Sequence, residues 1–442
     1  MQTPNPTDHN QWYPFQDRPD VGKQNGLPVN PSVIPLGDVD KLPDGAKYVV
    51  VGAGMHGLST AWHLAMRGYD VVLLEASRVG SGASGRNGGQ VGQGQRLEQD
   101  ELEAMVGAGP ARALWDIANQ SVDLVREIAS RDEVHATFHP GVIHAAHRAR
   151  YVPDYIEYAE KLQTEYGYDQ IRALDREELR TLVNSPAYHG GTIDMGAGHI
   201  DPLELALGLA RLATGAGVRI FEMSKVEQLE KGDPARLATA QAQITARHVV
   251  LGCNGYLGGL VPTVAARVMP INNYVVATGP LGPERQEEII RGNHAVADSK
   301  FVVNYFRFSD DHRLLFGGTE SYRYRFPRDI AAAVRRPMEE IFPQLKGVEI
   351  THGWGGTLGI TMNRMPHFER VTGNILSLSG YSGHGVAMAT LAGQIAAETI
   401  AGQAERFDVM AAVPTPRFPG GVALRWPLLV LAMLWFSLRD KL

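Results

Sequence analysis

Hydrophobic positions along this chain of 442 residues follow two rhythms. Tyr48-Val49-Val50-Val51 and Val71-Val72-Leu73-Leu74 are unbroken apolar runs, the pattern of strands buried on both faces. Between them, from Met55 to Arg67, apolar residues recur every three or four positions, as on one face of a helix. Strand, helix and strand in this order predict a βαβ unit and a parallel sheet. Val249-Val250-Leu251 repeats the strand signal ahead of Gly252 and predicts a further parallel strand of the same sheet. The first domain is therefore discontinuous in sequence. Ile375-Leu376-Ser377-Leu378 predicts one more strand, with a helix over 386–400 behind it.

Helical periodicity also covers 97–131, with Leu114, Ile117, Val122, Leu124 and Ile128 as its buried positions. It returns over 155–166, 176–183 and 202–216, the last with Asp201 as cap and Pro202 in the first turn. Between Met269 and Phe326 the text changes to short β-rich runs: Tyr274-Val275-Val276, Phe301-Val302-Val303, Tyr305-Phe306-Arg307-Phe308 and Leu314-Leu315-Phe316, with Asp310-Asp311 as a turn. These predict an antiparallel second sheet, with Tyr305 and Arg307 on one face and Phe306 and Phe308 on the other. The length exceeds one ordinary core. The fold class is α/β (α+β overall), a Rossmann-type dinucleotide-binding domain with an interleaved antiparallel-sheet substrate domain. Segments 47–100, 190–265 and 350–405 make the first, and 101–189 with 266–349 make the substrate or cap domain. Residues 1–46 form an N-terminal arm and 406–442 a C-terminal tail.

The turn after the first strand reads Gly52-Ala53-Gly54-Met55-His56-Gly57. One glycine serves the tight turn, one the approach of backbone to a pyrophosphate, and one the packing of helix on strand. Glu75 closes the second strand at about the 20-residue separation expected of a ribose-binding acid. A carboxylate there would repel a 2′-phosphate, so the nucleotide is NAD or FAD rather than NADP. Ala76 and Ser77 lead into a loop of small residues: Gly82, Ala83, Ser84, Gly85, Arg86, Asn87, Gly88, Gly89 and Gln90. Such a loop packs little and suits close backbone approach to a ligand. Glycines are dense again over 190–198, and in Gly380-Tyr381-Ser382-Gly383-His384-Gly385, where a second helix start faces a ligand's electron-rich atoms.

Charge and cysteine content narrow the setting. The net charge of −6 is spread without long runs and excludes a nucleic-acid partner. Cys253 is the single cysteine, so neither an intrachain disulfide nor a cysteine zinc site can form, and a cytoplasmic location fits. In its apolar strand it reads as a small buried hydrophobe. His135, His139, His144 and His147 lack a carboxylate or thiolate to complete a metal set, so no metal site is predicted. The arm has no apolar run of the secretory kind, and offers Trp12, Tyr13 and Phe15 as anchors. The apolar stretch from Trp426 to Leu438 is shorter than the ~20 residues that span a bilayer. It reads as a helix docked on the protein or a neighbouring subunit, or as one lying peripherally on the inner face of a membrane.

Taken together, the fingerprint with Glu75, the loop over 82–90, Gly198-His199-Ile200 with Pro202, and the cluster over 380–385 resemble the D-amino-acid-oxidase-like FAD oxidoreductases. Phe342-Pro343-Gln344-Leu345-Lys346-Gly347-Val348, Arg364-Met365-Pro366, Ala404-Glu405-Arg406-Phe407-Asp408 and Phe418-Pro419-Gly420-Gly421 carry a closer likeness to the gamma-glutamylputrescine oxidase branch. The resemblance spans residue 47 to the C-terminus. It implies FAD and oxidation of a C–N bond in a small-molecule amine. Hydride passes from the carbon beside nitrogen to flavin, and water hydrolyses the imine to an aldehyde. Oxygen is the implied acceptor, or a quinone should the tail touch membrane. The resemblance also implies that Ser382, Gly383, His384, Gly385 and Val386 line the flavin ring, with Arg86, Asn87, Gly88 and Gly89 opposite and Val226 holding the adenine end through its backbone. His384, Tyr305, Arg307 and Trp354 are the catalytic candidates.

Two departures from the family pattern bear on this. Sarcosine-oxidase relatives attach flavin through a cysteine near the position of Gly356, so dissociable FAD is expected here. They also place a lysine for the substrate carboxylate where this chain has Ala387, which favours an amine with a remote polar end. Two other readings stand beside the amine oxidase: a membrane-associated flavin dehydrogenase of an amino or hydroxy acid feeding quinone, and a non-catalytic flavoprotein subunit.

Overall fold

The computed structural model describes residues 45–420 except 322–325 and 328. The N-terminal arm before residue 45 and the tail from Trp426 to Leu438 lie outside the described residues.

Val-rich and Leu-rich runs with no polar face can be satisfied only between two layers, and they form the centre of an 8-stranded sheet. Its main order is His367–Thr372, Ile375–Ser379, Gln243–Leu251, Gly45–Val51, Val71–Leu74 and Arg219–Phe221. Gly45–Val51 pairs in parallel with both Val71–Leu74 and Gln243–Leu251, and Gln243–Leu251 in parallel with Ile375–Ser379. The expected parallel core is therefore present. Helices Met55–Ala65, Ala108–Ala129, Pro202–Gly215 and Gly385–Ile400 share one apolar cluster against this sheet. Asp201 caps the third of them by accepting from the Leu203 and Glu204 amides, as its position predicts.

A 9-stranded sheet carries the second layer system, in the order Ile350–Ile360, Met269–Thr278, Leu314–Ser321, Tyr305–Phe308, Ala295–Asp298, His139–Ala145, Gly191–His199 and Gln90–Val91, with Ile171–Leu174 paired to Gly191–His199. Phe306 and Phe308 point into its core, where Phe306 stacks on Phe316 at 5.4 Å and meets Phe342 edge-on at 5.0 Å. Each such pair contributes about 0.5–1.5 kcal/mol beyond area burial. Tyr305 lies on the opposite face with Val275, Leu315 and Trp354, as alternation requires.

The structure departs from the sequence expectations in four places. Gly191–His199 and Ile350–Ile360, expected in the nucleotide domain, are strands of the second sheet. In Gly191–His199 glycine serves strand contact, since a Cβ at Gly191 would overlap the His144 carbonyl and one at Gly198 the His139 carbonyl. Helix Ala108–Ala129, expected in the cap, packs with the first domain because Leu114, Ile117, Val122 and Ile128 complete its core. The helical stretch over 97–131 is two helices, Gln99–Val106 and Ala108–Ala129, broken at Gly107 with φ +87°. Finally, Phe301-Val302-Val303 is not a strand. The chain turns there because Asp298 accepts from the Asn304 amide and side chain, and the strand is Ala295–Asp298, parallel to His139–Ala145.

Candidate active site

At the end of Gly45–Val51 the chain turns through Gly52, whose φ is +102°. A Cβ at Gly57 would overlap the Gly52 carbonyl oxygen, so only glycine lets the helix Met55–Ala65 start this close to the strand. Gly252, at the end of the neighbouring parallel strand, lies back to back with Gly57, its would-be Cβ 3.2 Å from the Gly57 Cα. The helix cap, Gly54, has no side-chain capping bond. Ser84 Oγ accepts from the Met55 amide at 3.0 Å, and sits 2.8 Å from where a Gly54 Cβ would be. The result is a cradle of backbone donors at a helix N-terminus, open because side chains are missing, which fits the pyrophosphate of FAD. His56 contributes only its backbone to this cradle: its ring is buried edge-on to Tyr381, and burial lowers its pKa to about 3.

Glu75 closes the cradle. Its Oε2 accepts from the Ala53 amide at 2.6 Å and its Oε1 from the Ser77 amide at 2.8 Å. Burial raises its pKa, while the Ala53, Ser77 and Ala76 amides oppose the rise. Each carboxylate oxygen keeps further acceptor capacity, so the group can take ribose hydroxyls. The Ser224 amide donates to the Glu75 carbonyl at 2.7 Å, which ties the half-buried segment containing Val226 to the same end of the sheet. Cys253, at the end of its strand, has a thiol pushed up to about 12 by burial and is inert as a nucleophile.

The small-residue loop folds as a short helix, Ala83–Arg86, then runs into Gln90–Val91. Asn87 organises it, donating to the Ala83 and Ser84 carbonyls and accepting from the Gly89 amide at 2.7 Å. Gln90 anchors the exit by donating to the Val296 carbonyl at 2.8 Å. Gly82 lies against the Tyr256 ring, and the Tyr256 hydroxyl accepts from the Thr357 amide. Three of the expected catalytic side chains converge on this loop. The Tyr305 ring covers Gly88, where a Cβ would come within 2.6 Å of it, and its hydroxyl donates to Asn273 Oδ1. Arg307, 4 % exposed, donates Nε to the Gly88 carbonyl at 2.5 Å and Nη1 to the Phe308 carbonyl. Trp354 donates its indole N–H to the Arg86 carbonyl at 3.1 Å, and Arg86 returns a bond to the Gly355 carbonyl. Arg307 and Trp354 thus each donate to the loop backbone, and Tyr305 packs its ring on it.

The second glycine turn begins at Gly380, whose amide donates to Asn254 Oδ1. Ser382 and Gly383 have φ of +51° and +91°, and the space beside Gly383 is open to 4 Å. Ser382 is fixed through its amide to the Gly359 carbonyl and through Oγ to Gly380 and Thr361. Gly385–Ile400 then starts with no capping side chain and no acid in its first turn, leaving Gly385 and Val386 at a donor-rich end. This helix crosses the fingerprint helix in contact: Ser59 Oγ donates to the Thr390 carbonyl at 2.6 Å, and a Cβ at Gly393 would come within 2.6 Å of Ser59 and the Thr60 amide. Both glycine turns thus stand at the carboxyl ends of parallel strands, where open α/β sheets bind ligands.

His384 is half-buried against Gly92, and its Nε2 is buried with no hydrogen-bond partner among the described residues. Burial first, and then the Arg96 charge, lowers its pKa to about 4. It is neutral at pH 7. Asn254 and Tyr256 escaped the sequence reading, although strand-then-glycine at 249–255 was their available signal. Among the described residues no three His, Cys, Asp or Glu side chains are placed to hold a metal ion, and no helix is long and apolar enough to cross a membrane.

Comparison with known proteins agrees with this geometry. The family model for FAD-dependent oxidoreductases of the DAO type matches residues 47–399. The chain is 43% identical over 397 residues to the probable oxidoreductase OrdL of Rhizobium meliloti, covering 90% of this chain and 92% of that one. It is 40% identical to gamma-glutamylputrescine oxidoreductase of Escherichia coli, covering 89% of this chain and 92% of the other. Among solved structures, glycine oxidase from Bacillus cereus shares the fold at a TM-score of 0.68 with 18% identity, covering 84% of this chain and 99% of that one. A cradle for a dinucleotide, a second glycine-broken helix start facing it and a family match across most of the chain lead to one assignment: the protein belongs to the DAO family of FAD-dependent oxidoreductases acting on amines or amino acids.

Proposed function

We propose that the enzyme oxidises the C–N bond of a linear amine with a remote polar end, of the gamma-glutamylputrescine kind. The product is an imine that water converts to an aldehyde, and dioxygen is the electron acceptor. The observation that carries this reading is the pairing of two donor-rich helix starts with a neutral histidine and no lysine beside them: the position where related oxidases hold the substrate carboxylate is Ala387, 1 % exposed. A small α-amino acid would find no cation there, whereas an amine charged at its far end needs none. The 40% identity to gamma-glutamylputrescine oxidoreductase supports the same substrate class.

FAD, when bound, accepts hydride from the carbon next to nitrogen. The amides of residues 54–57 and Glu75 hold its phosphates and ribose. Val226 meets the adenine end, and the first turn of Gly385–Ile400 with Ser382 and Gly383 presents donors where negative charge develops. Arg86, Asn87, Gly88 and Gly89 line the other side, held by Tyr305, Arg307 and Trp354. His384 orients the amine as a neutral hydrogen-bonding group. Position 356 carries no sulfur, in keeping with flavin held without a covalent bond.

Anaerobic titration tests the reading. Gamma-glutamylputrescine should bleach the flavin band near about 450 nm, and admitting oxygen should restore it with formation of peroxide. Bleaching by hydroxy acids alone, or by no donor at all, would overturn it.

A further inference from the structure

Three of the four residues that open the second glycine turn lie in the left-handed region: Gly380 at φ +77°, Ser382 at +51° and Gly383 at +91°. A run of this kind can orient its peptide planes in more than one way, and its amides face a ligand only in some of them. Two of those amides are fixed from outside the turn. The Ser382 amide donates to the Gly359 carbonyl at 3.0 Å, and the Gly380 amide donates to Asn254 Oδ1 at 2.9 Å. The first anchor is main chain and survives substitution. The second depends on one side chain.

Asn254 is itself held in place for that bond. It starts the short turn Asn254–Tyr256 beyond the carboxyl end of Gln243–Leu251. That strand lies between Gly45–Val51 and Ile375–Ser379, so Asn254 stands between the nucleotide cradle and the second glycine turn. Its φ is +44°, a conformation that Asn tolerates better than most residues with a side chain. Because a backbone N–H only donates, the side-chain atom facing Gly380 is the oxygen. A Cβ at Gly359 would come within 2.1 Å of that oxygen, so the strand Ile350–Ile360 leaves room for it only as glycine. The rest of the turn is pressed on the same strand. A Cβ at Gly255 would come within 2.7 Å of the Leu358 carbonyl, and the Tyr256 hydroxyl accepts from the Thr357 amide at 3.0 Å. On the other side Cys253 donates its thiol to the Val51 carbonyl at 3.5 Å, at the end of the cradle's strand.

We infer that Asn254 is a positioning residue for the flavin: its side chain fixes the Gly380 peptide, so that the turn presents the Gly383, Gly385 and Val386 amides to the ring. The inference rests on the proposed placement of the ring at this turn and is independent of which amine is oxidised. Donors stabilise the negative charge of reduced flavin best when they point at it beforehand, at no cost of reorganisation. Asn254 therefore acts through Gly380 on the balance between reduced and oxidised cofactor.

The test compares two variants of the FAD-loaded enzyme. Asn254→Gly keeps the left-handed backbone and removes the acceptor, whereas Gly359→Ala displaces the acceptor and leaves Asn254 in the chain. The readout is the reduction potential of the bound flavin, measured against a reference dye. Each variant should lose about tenfold in preference for reduced over oxidised flavin, as for one lost hydrogen bond. For a two-electron couple that is about 30 mV towards more negative potential. The double variant should lose little more than either single one, because both remove the same contact. A wild-type potential in Asn254→Gly, or effects that add in full in the double variant, would overturn the inference. Ser382→Ala, a change within the turn, separates this from the reading beneath it. A shift in Ser382→Ala with none in Asn254→Gly removes the role of Asn254 alone, whereas no shift in either removes the placement of the ring at this turn as well.

Discussion

A single methyl group at Gly57 separates a cofactor turn from a steric collision. A Cβ there would overlap a backbone oxygen on Gly52, and neither partner is a flexible side chain that could move aside. Gly57→Ala should therefore yield protein with little bound flavin, read as the ratio of flavin to protein absorbance. Gly383→Ala tests the other extreme. Its Cβ would meet open space, and only the φ of +91° resists it, at a cost of about 1–3 kcal/mol. That variant should keep its flavin and lose stability. His384 also acts at this scale. Its pKa of about 4 lies below the ordinary 6.5, so it takes a proton only below about pH 4. Between pH 6 and 9 the profile of kcat/KM should contain no ionisation of His384, and His384→Gln should lower the rate without moving the limbs. Disappearance of a limb near pH 6.5 in that variant would show that the ring does titrate during turnover.

At the scale of elements, the loop over 82–90 depends on the second sheet. Arg307 and Trp354 reach it from two different strands, and each donates to a backbone carbonyl. Arg307→Lys keeps the charge but loses the planar fork that serves Gly88 and Phe308 together. An orphaned buried carbonyl costs about 1–3 kcal/mol. We expect the FAD dissociation constant to rise by one to two orders of magnitude, with Trp354→Phe milder because one bond is lost and the ring stays. Equal FAD affinity in both variants, measured by flavin fluorescence on dilution, would mean that the loop is held without them. The same elements show what the sequence could reveal. Tyr48–Val51 and Val71–Leu74 were legible because apolar runs without a polar face have one structural use, and the glycine turns because each replaces a side chain at a defined point. Gly191–His199 was not, because dense glycine has two uses, approach to a ligand and approach of strands, and composition cannot separate them. Phe301-Val302-Val303 failed because the Asp298–Asn304 bonds override local β propensity.

For the whole molecule, neutral imidazoles enclosed in protein make the fold acid-sensitive. Burial lowers His56 to about 3 and His63 to about 4, and His144 and His384 to about 4. Unfolded, each would titrate near 6.5, so below that pH the unfolded chain binds protons that the folded chain refuses. Stability is therefore lost as pH falls from 6.5 towards 4. For His56 and His63, 3 % and 9 % exposed, the loss at pH 5 reaches about 2 kcal/mol each as an upper bound. Asp298 works in the opposite sense. Its pKa is raised to about 6 from an ordinary 3.8, so its burial cost is present above pH 6 and relieved as pH falls towards 3.8. Glu75, Asp194 and Glu222, also raised by burial, act in the same sense as Asp298, while His199, lowered well below its ordinary value, and the half-buried pair His144 and His384 join the enclosed histidines, whose larger shifts set the sign. With FAD held in fixed excess, the thermal unfolding midpoint should drop by several degrees between pH 7 and pH 5. His63→Gln keeps a neutral polar group near the Ser59 carbonyl that the ring contacts at 2.8 Å, and should flatten part of that slope. A midpoint that stays level or rises on acidification would show that the enclosed rings are solvated or already charged at neutral pH, and would remove the same physical ground from the neutral His384 that the proposed orientation of the amine requires.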